Sequence, residues 1–169
     1  DHEDFEMNAR IVVFADGPSS LASRKMKGVG FQRRPERTMH GLVYEYEWEN
    51  NPLDAFDLFF DAGIAAWGYG WIFPKRDKLN VGICSLMSVT ALEKGHRMRD
   101  RLDYFAKTHG ASIALKDRNI ANIQAAIIPV EPAKRIHGNR FLVVGDAAGM
   151  VEPFSAVGIE YAMRGATIA

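Results

Sequence analysis

The stretch RFLVVGDAAGMVEPFSAVGIEYAMRGATIA, residues 140–169, decides the fold that we predict for this chain. Phe141–Val144 is a short apolar run of the kind that forms a buried strand, and Gly145 ends it. Asp146 follows at the carboxyl end of that strand, where open α/β sheets place the groups that contact a ligand. The stretch therefore predicts a strand, a polar turn and a helix within a β/α domain.

Small side chains follow this strand and continue into the helix. Ala147 and Gly149 leave room for a bulky group against the backbone, Pro153 marks the approach to the helix, and Gly158 keeps the helix slim. The amino end of a helix offers free N–H groups and a partial positive charge, which suit an anion or an electron-rich ring. Spacing alone leaves two interpretations open, a ligand site and an ordinary strand–turn–helix, because Gly-rich turns are weak motifs.

The composition is that of an ordinary globular protein without a charge bias. The 169 residues are 47% hydrophobic and 25% charged, and 21 basic residues balance 21 acidic ones. A formal net charge of zero gives no reason to expect a nucleic-acid partner. No apolar run approaches the ~20 residues of a membrane span, and no signal peptide is visible. We therefore expect a cytoplasmic protein.

Cys84 is the single cysteine, which excludes an intrachain disulfide and a zinc site built from several cysteines. It lies in the apolar run VGICSLM, so we interpret it as a buried structural thiol and predict no metal site. The sequence has no initiator Met and stops inside an apparent helix, so we expect a fragment of a longer protein.

A second strand–turn–helix is predicted near the start of the chain. Ala9–Ala15 is an apolar, β-branched strand, and Asp16-Gly17-Pro18 is a strong turn signal. Ser19 or Ser20 then caps a short helix at Leu21–Lys27. These elements match the β/α character of the end of the chain.

The middle of the chain has the period of antiparallel strands. The predicted strands are Gly41–Glu49, Phe56–Asp61, Tyr69–Pro74, Leu79–Met87 and a segment near Asn122–Pro129, with the third and fourth forming a hairpin. One helix is predicted at Thr90–Thr108, with Thr90 as its cap and Glu93 as the partner in a capping box. We therefore predict a mixed α/β and α+β fold, with an antiparallel sheet inserted between two parts of a β/α domain.

Tyr69, Trp71 and Phe73 alternate along one predicted strand, so their side chains point to the same face. Three aromatic residues on one face form either part of a core or the lining of an apolar pocket. The residues alone favour core packing.

Three motifs agree in order and spacing with one protein family. They are ADGPSSLASR (Ala15–Arg24), YGWIFP (Tyr69–Pro74) and GDAAGMVEPFSAVGIEYAM (Gly145–Met163). Over almost its whole length the chain resembles the geranylgeranyl reductase family, FAD-dependent oxidoreductases with the p-hydroxybenzoate hydroxylase fold. The resemblance implies a Rossmann-like FAD-binding domain in two parts, residues 1–29 and 131–169, and a substrate domain at residues 30–130.

The cofactor that the resemblance implies is FAD. Asp146 would accept hydrogen bonds from the ribityl chain, and the N–H groups of Gly158 and Ile159 would face the pyrimidine edge of the flavin. The residues expected at the cofactor are Ala15, Asp16, Gly17, Gly145, Asp146, Ala147, Gly149, Pro153, Gly158 and Ile159.

The implied function is reduction of isoprenoid double bonds, with a hydride passing from reduced flavin to the alkene of a geranylgeranyl chain. The isoprenoid cavity would be lined by Tyr69, Trp71, Phe73 and Pro74. No residue stands out as a proton donor, so no catalytic residue is predicted. The expected partners are an isoprenoid or prenylated-lipid substrate and an external electron donor, NAD(P)H or ferredoxin. A lipid substrate would imply contact with a membrane surface.

Two positions depart from the pattern of the family, which usually has Gly at Ala156 and Gly or Glu at Val157. The first dinucleotide motif of the family, GxGxxG, is absent from this sequence, so we expect the isolated chain to bind FAD weakly and to be inactive. Two alternative functions stay open. One is an FAD-dependent monooxygenase or halogenase of the same fold, and the other is a degenerate, non-enzymatic member that binds an apolar ligand.

Overall fold

The computed structural model describes residues 6–51, 53–92, 97–110, 113 and 115–169 of the chain. Contacts divide the chain into a first unit, Asp1–Arg33 with Pro129–Ala169, and a second unit, Arg34–Ile128. Among the described residues, no helix is both long enough and apolar enough to span a bilayer.

The regular elements of the described residues are short strands and helices. In order they are β1 (Val12–Phe14), α1 (Leu21–Lys25), β2 (Thr38–Glu47), β3 (Asp57–Phe59), β4 (Gly68–Lys75), β5 (Lys78–Leu86), α2 (Met87–Leu92), α3 (Met98–His109), β6 (Ile120–Pro129), β7 (His137–Gly138), β8 (Phe141–Val143) and α4 (Ile159–Ile168). Short 3₁₀ turns occur at Pro35–Arg37, Leu115–Asp117 and Gly145–Ala148.

The first unit contains a small sheet with the strand order β1–β8–β7. β1 runs parallel to β8, with Val12 opposite Phe141 and Phe14 opposite Val143. β1 is shorter than the predicted strand Ala9–Ala15, because only three of its residues pair with β8. The parallel pairing brings the carboxyl ends of β1 and β8 to the same edge of the sheet.

α1 follows β1 and packs Ala22 into the core of the first unit. The Ala22 N–H donates a hydrogen bond to the Ser20 hydroxyl oxygen at 3.0 Å, so Ser20 is the residue that caps the helix. The helix ends at Lys25, two residues before the predicted end, because the backbone of Met26 is already extended. The core that receives α1 consists of Ala22, Val29, Phe141, Val143, Ala147 and Ala148.

The second unit is built on a five-stranded sheet with the order β3–β4–β5–β2–β6. The pairs β3–β4, β4–β5 and β5–β2 are antiparallel. The predicted hairpin is confirmed, with Lys75 opposite Lys78 across the turn at Arg76 and Asp77. The predicted fold class is confirmed as well, since parallel β/α elements flank an inserted antiparallel sheet.

One face of this sheet packs against α3 and forms the core of the second unit. Ile72, Val81 and Ile83 are fully buried there, together with Leu102 and Phe105 from the helix. We call this side the core face. Period-2 alternation in β4 and β5 sends the intervening side chains to the opposite side.

The prediction of one helix at Thr90–Thr108 is wrong. The structure has α2 and α3 instead, and the backbone of Arg97 is extended just before α3 begins. Thr90 lies inside α2, where its hydroxyl donates to the Met87 carbonyl at 3.0 Å, so it is not an N-cap. The Arg97 N–H donates to the Asp100 carboxylate at 3.2 Å at the start of α3. Glu93 lies outside the described residues.

Candidate functional site

The edge of the first sheet brings together residues that are far apart in sequence. The Val144 N–H donates to the Phe14 carbonyl at 3.0 Å, which continues the β1–β8 pairing to the ends of both strands. The turn that starts at Asp16 therefore lies beside the turn that starts at Gly145. The predicted groups Ala15–Gly17 and Gly145–Gly149 thus share one edge of the sheet.

The turn after β8 depends on glycines in the left-handed region of the backbone. Gly145 has φ 61° and Gly149 has φ 67°, conformations that disfavour other residues. A Cβ at Gly149 would also lie 2.3 Å from the Glu131 carbonyl oxygen. Ala147 is fully buried, so its side chain contributes to the core of the first unit and does not project from the edge.

The Asp146 carboxylate is half-buried at this edge, and burial raises its pKa. Within the described part of the chain this carboxylate has no hydrogen-bond partner. Gly158 lies against it, because a Cβ at Gly158 would be 3.0 Å from Oδ1 of Asp146. A half-buried acceptor without a partner is suited to hydroxyl donors from a ligand.

α4 begins next to this carboxylate. Gly158 is its N-cap and offers no side chain to the first N–H groups of the helix. Ile159, the first helical residue, is 78% exposed. The start of α4 therefore leaves donors available beside Asp146.

Asp16 is engaged within its own turn. Its carboxylate accepts a hydrogen bond from the Leu21 N–H at 2.6 Å, at the start of α1. Burial opposes ionisation of Asp16, but the hydrogen bonds from Ser20 and the Leu21 N–H outweigh it and lower the pKa of the carboxyl group. Its neighbour Gly17 has φ 76° and supplies the sharp turn after Asp16.

Glu152 organises the loop that leads to α4. Its carboxylate accepts hydrogen bonds from the Phe154 N–H at 3.1 Å and from the N–H and hydroxyl of Ser155 at 2.6 Å. Pro153 is exposed within this loop. Ala156 has φ 56°, so alanine here adopts a conformation that favours glycine. The loop thus has a backbone conformation typical of glycine at Ala156, although this residue carries a methyl side chain.

The second candidate region is the sheet face opposite α3, which we call the aromatic face. Tyr69, Trp71 and Phe73 lie on it in one row, with ring centroids 5.7 Å and 6.1 Å apart. All three are half-buried, whereas Ile72 between them on the core face is 2% exposed. Core packing, which the residues alone favoured, is therefore wrong for this row.

The aromatic face extends onto β3, which the sequence analysis did not foresee. Leu58 is opposite Trp71, the Phe56 ring is 5.1 Å from Phe73, and Phe60 is 5.5 Å from Tyr69. Phe56, Leu58 and Phe60 are 73%, 50% and 61% exposed. Their alternation in FDLFFD is the signal that could have identified them.

Pro74 does not join this row. The β4–β5 pairing is regular from Gly68 to Lys75, so Pro74 has the same parity as Ile72 and belongs to the core face. β4 therefore does not present one wall formed by Tyr69, Trp71, Phe73 and Pro74 together. Next to the row, Cys84 is fully buried as predicted, and burial raises its pKa to about 11.

An ion cluster lies at one end of the aromatic face. Glu45, whose side chain is 6% exposed, contacts the Lys75 ammonium at 2.5 Å and the Lys78 ammonium at 3.5 Å. The hydrogen bond from Lys75 lowers the pKa of Glu45. Sequence reasoning missed this cluster, because its three residues come from three strands whose pairing the sequence does not state.

The second unit is similar to a known protein family. Residues 37–129 match the model of the geranylgeranyl reductase catalytic domain, which is more than half of the chain. This chain belongs to the geranylgeranyl reductase family. The match coincides with the second unit, Arg34–Ile128, to within three residues at either end.

One curated protein to which this chain is similar is the digeranylgeranylglycerophospholipid reductase of Methanocaldococcus jannaschii. The two are 29% identical over 165 residues, which cover 95% of this chain and 40% of the relative. The chain thus spans about 40% of the length of the curated relatives that it matches.

Solved structures share the fold of this chain. A geranylgeranyl bacteriochlorophyll reductase-like protein from Thermoplasma acidophilum is 25% identical, with a TM-score of 0.75 over 92% of this chain and 38% of that protein. A flavin-dependent brominase is 17% identical, with a TM-score of 0.67 over 92% of this chain and 40% of that protein. The second likeness shows that the reductase family shares its fold with flavin-dependent halogenating enzymes.

Proposed function

We propose that this chain is part of an FAD-dependent reductase that reduces the double bonds of an isoprenoid chain. The aromatic face of the second unit carries the proposal. Six apolar residues, on β4 and on residues 56–60 in and beside β3, are half-buried or exposed there, on a sheet whose other face already forms a core. Such a surface suits an apolar chain with few polar groups. The names of the curated relatives support a prenylated glycerophospholipid as the substrate.

The residues at the edge of the first unit fit a flavin cofactor. Asp146 is a half-buried acceptor that has no hydrogen-bond partner among the described residues, which suits the hydroxyl groups of a ribityl chain. The turn Gly145–Gly149 has small side chains, and the uncapped start of α4 at Gly158 offers N–H donors. We therefore propose that Ala15–Gly17, Gly145–Gly149, Pro153, Gly158 and Ile159 adjoin bound FAD.

When bound and reduced, FAD supplies the hydride. The residues of the chain bind and orient the partners of that reaction. The aromatic face would hold the isoprenoid chain and exclude water from it, and the donors at the start of α4 favour negative charge beside them. No described side chain in either region is placed as a proton donor, so we assign no catalytic residue. An external electron donor, NAD(P)H or ferredoxin, and contact with a membrane surface stay predictions.

The reaction is tested on the natural full-length protein that includes residues 1–169, purified and reduced with dithionite without oxygen. Incubation with a digeranylgeranyl glycerophospholipid should yield products heavier by two hydrogens for each reduced double bond, measured by mass spectrometry. Oxygen consumption coupled to a hydroxylated or halogenated product would instead identify a monooxygenase or halogenase. A protein that purifies without flavin absorbance and leaves the lipid unchanged would be a non-enzymatic binder.

The cofactor site is tested separately by Asp146→Asn in the same protein. Loss of the anionic acceptor should weaken FAD binding about tenfold, because hydrogen bonds to a charged group contribute about 1.5–3 kcal/mol. Flavin fluorescence during dilution measures the affinity. Glu47→Gln is the control, since this exposed carboxylate belongs to the second unit and is not among the residues proposed to adjoin FAD. Unchanged affinity in Asp146→Asn would contradict the assignment.

A further inference from the structure

Trp71 is held on the aromatic face by two residues of the neighbouring strand. Its Nε1–H donates a hydrogen bond to Oδ1 of Asn80 at 2.7 Å. Its six-membered ring lies over Gly82, the residue directly opposite in the sheet, where a Cβ would be 2.2 Å from Cζ2. The indole is therefore held by a hydrogen bond at Nε1 and by contact of its six-membered ring with Gly82.

The fold itself does not require either restraint. Trp71 is only half-buried and points away from α3, so water could satisfy its N–H group. Gly82 lies inside the strand β5, which has a neighbour on both sides, and glycine weakens such a strand. Two features that bring no evident gain in stability thus act together on the orientation of one half-buried aromatic ring.

Asn80 also lies at a junction of the aromatic face. It is directly opposite Phe73 on β4 and directly opposite Glu45 on β2. Its bond to Trp71 is therefore diagonal, and it ties the middle of the aromatic row to β5, which also carries Lys78 of the ion cluster. An orientation fixed in this way is already present before any ligand arrives, which lowers the entropy cost of binding.

We propose that Asn80 and Gly82 are positioning residues that fix the Trp71 indole as a rigid wall for the isoprenoid chain. This inference rests on the proposed function and adds that β5 sets which chain lengths the aromatic face accepts. An apolar chain offers few hydrogen bonds for recognition, so the shape of the wall must discriminate. If the indole were free to rotate, the wall would still be apolar but would no longer have a fixed shape.

The first measurement is the indole resonance of Trp71 in the ¹⁵N-labelled natural full-length protein. Asn80→Leu should shift this resonance and speed exchange of its proton with solvent about fivefold, as expected from the loss of one hydrogen bond. Asn80→Asp keeps an acceptor oxygen of the same reach and should keep the slow exchange of the wild-type indole proton. Trp48 and Trp67, the other two tryptophans, are internal controls whose resonances should not move.

The second measurement is chain preference, the ratio of kcat/KM for geranylgeranyl and farnesyl lipids. Pocket shape discriminates between apolar chains by about tenfold or more, so Asn80→Leu and Gly82→Ala should each lower the ratio about fivefold. Asn80→Asp should keep the ratio. In a Trp71→Phe background, which lacks the N–H donor, Asn80→Leu should cause no further change.

Three outcomes would overturn the inference: an unmoved Trp71 resonance in Asn80→Leu, a moved resonance with an unchanged ratio, or an additive loss in the Trp71→Phe background. If Asn80→Leu does not fold, Asn80→Ser replaces it, because a serine hydroxyl is polar but too short to reach Nε1. If the wild-type protein reduces no prenyl lipid, the proposed function fails, whereas the indole resonance still reports on Asn80.

Discussion

The two faces of the five-stranded sheet in the second unit are both apolar, but only one of them contributes to the core. Ile72 on the core face is 2% exposed and packs with Phe105, whose side chain is fully buried. Trp71, its neighbour on the other face, is half-buried, and Phe56 nearby is 73% exposed. An apolar surface of this kind that folding does not cover is typical of a binding surface.

The difference teaches that period-2 alternation identifies which residues share a face but not what each face does. Covering one face by α3 supplies the hydrophobic stabilisation of the second unit. The aromatic rings of the other face are not needed for that core and are available to bind a ligand. Mutations on the two faces should therefore separate stability from binding.

The largest effect is expected from Phe105→Ala. Removal of a fully buried ring leaves a cavity against Gly70 and Phe59, so the free energy of unfolding should fall by about 3–5 kcal/mol. Urea unfolding followed by circular dichroism measures it. Tyr104→Ala on the same helix is the matched control, because Tyr104 is 59% exposed and should cost about 1 kcal/mol or less. Equal losses in both variants would refute the assignment of the core face.

Glu45→Gln should have an intermediate effect, because the ion cluster gives the aromatic face its main polar anchor. We expect a loss of about 1–2 kcal/mol, since both lysines are half-exposed and solvent screens their attraction. Glu47→Gln, an exposed residue of the same strand and face, should change stability by less than about 0.5 kcal/mol.

The pH dependence of Glu45 gives a second readout. Its pKa in the folded chain is lowered below the ordinary value of 4.5, so the contribution of the cluster is fully present above that value. The contribution is lost as the pH falls through the folded pKa. The wild-type and Glu45→Gln stabilities should therefore converge as the pH falls below the folded pKa of Glu45. A difference that stays constant from pH 7 down to a pH at which Glu45 is protonated would show that the charge of Glu45 is not what stabilises the sheet.

A smaller loss of stability is expected from Phe56→Ala on the aromatic face. Phe56 is 73% exposed and touches Phe73 edge-on, so truncation should cost about 1 kcal/mol or less. The KM for a prenyl lipid should nevertheless rise about threefold, as for the loss of apolar contact in a pocket. A stability loss as large as that of Phe105→Ala would erase the distinction between the two faces.

The smallest effect is expected in the first unit, where it tests whether the local backbone conformation determines the stability change. Ala156 has φ 56°, where alanine is strained relative to glycine. Ala156→Gly should stabilise the chain by about 0.5 kcal/mol, because relief of strain exceeds the added entropy of the unfolded state. Val157→Gly is the comparison, since Val157 does not have a positive φ and should lose stability. Destabilisation by Ala156→Gly would mean that the methyl group makes a favourable contact.

Sequence reasoning worked where a local pattern carries the information. The β4–β5 hairpin, the strand β8 and the capping role of Ser20 all follow from neighbouring residues. It failed at the helix before Thr108, although Gly95 in the sequence signals a break. It also failed for Pro74, because the family motif was read as one surface while the strand sends alternate residues to opposite faces.

By itself the sequence determined most of the strands and turns, and the alternation along each strand determined which side chains share a face, because dihedral preferences and periodicity act over a few residues. Only the tertiary structure decided that α3 covers Ile72 and leaves Trp71 uncovered. Only strand pairing placed Asn80 and Gly82 beneath the indole and gathered Glu45 with two lysines. These contacts join residues distant in sequence, and their free energy depends on the register between strands, which no local pattern contains.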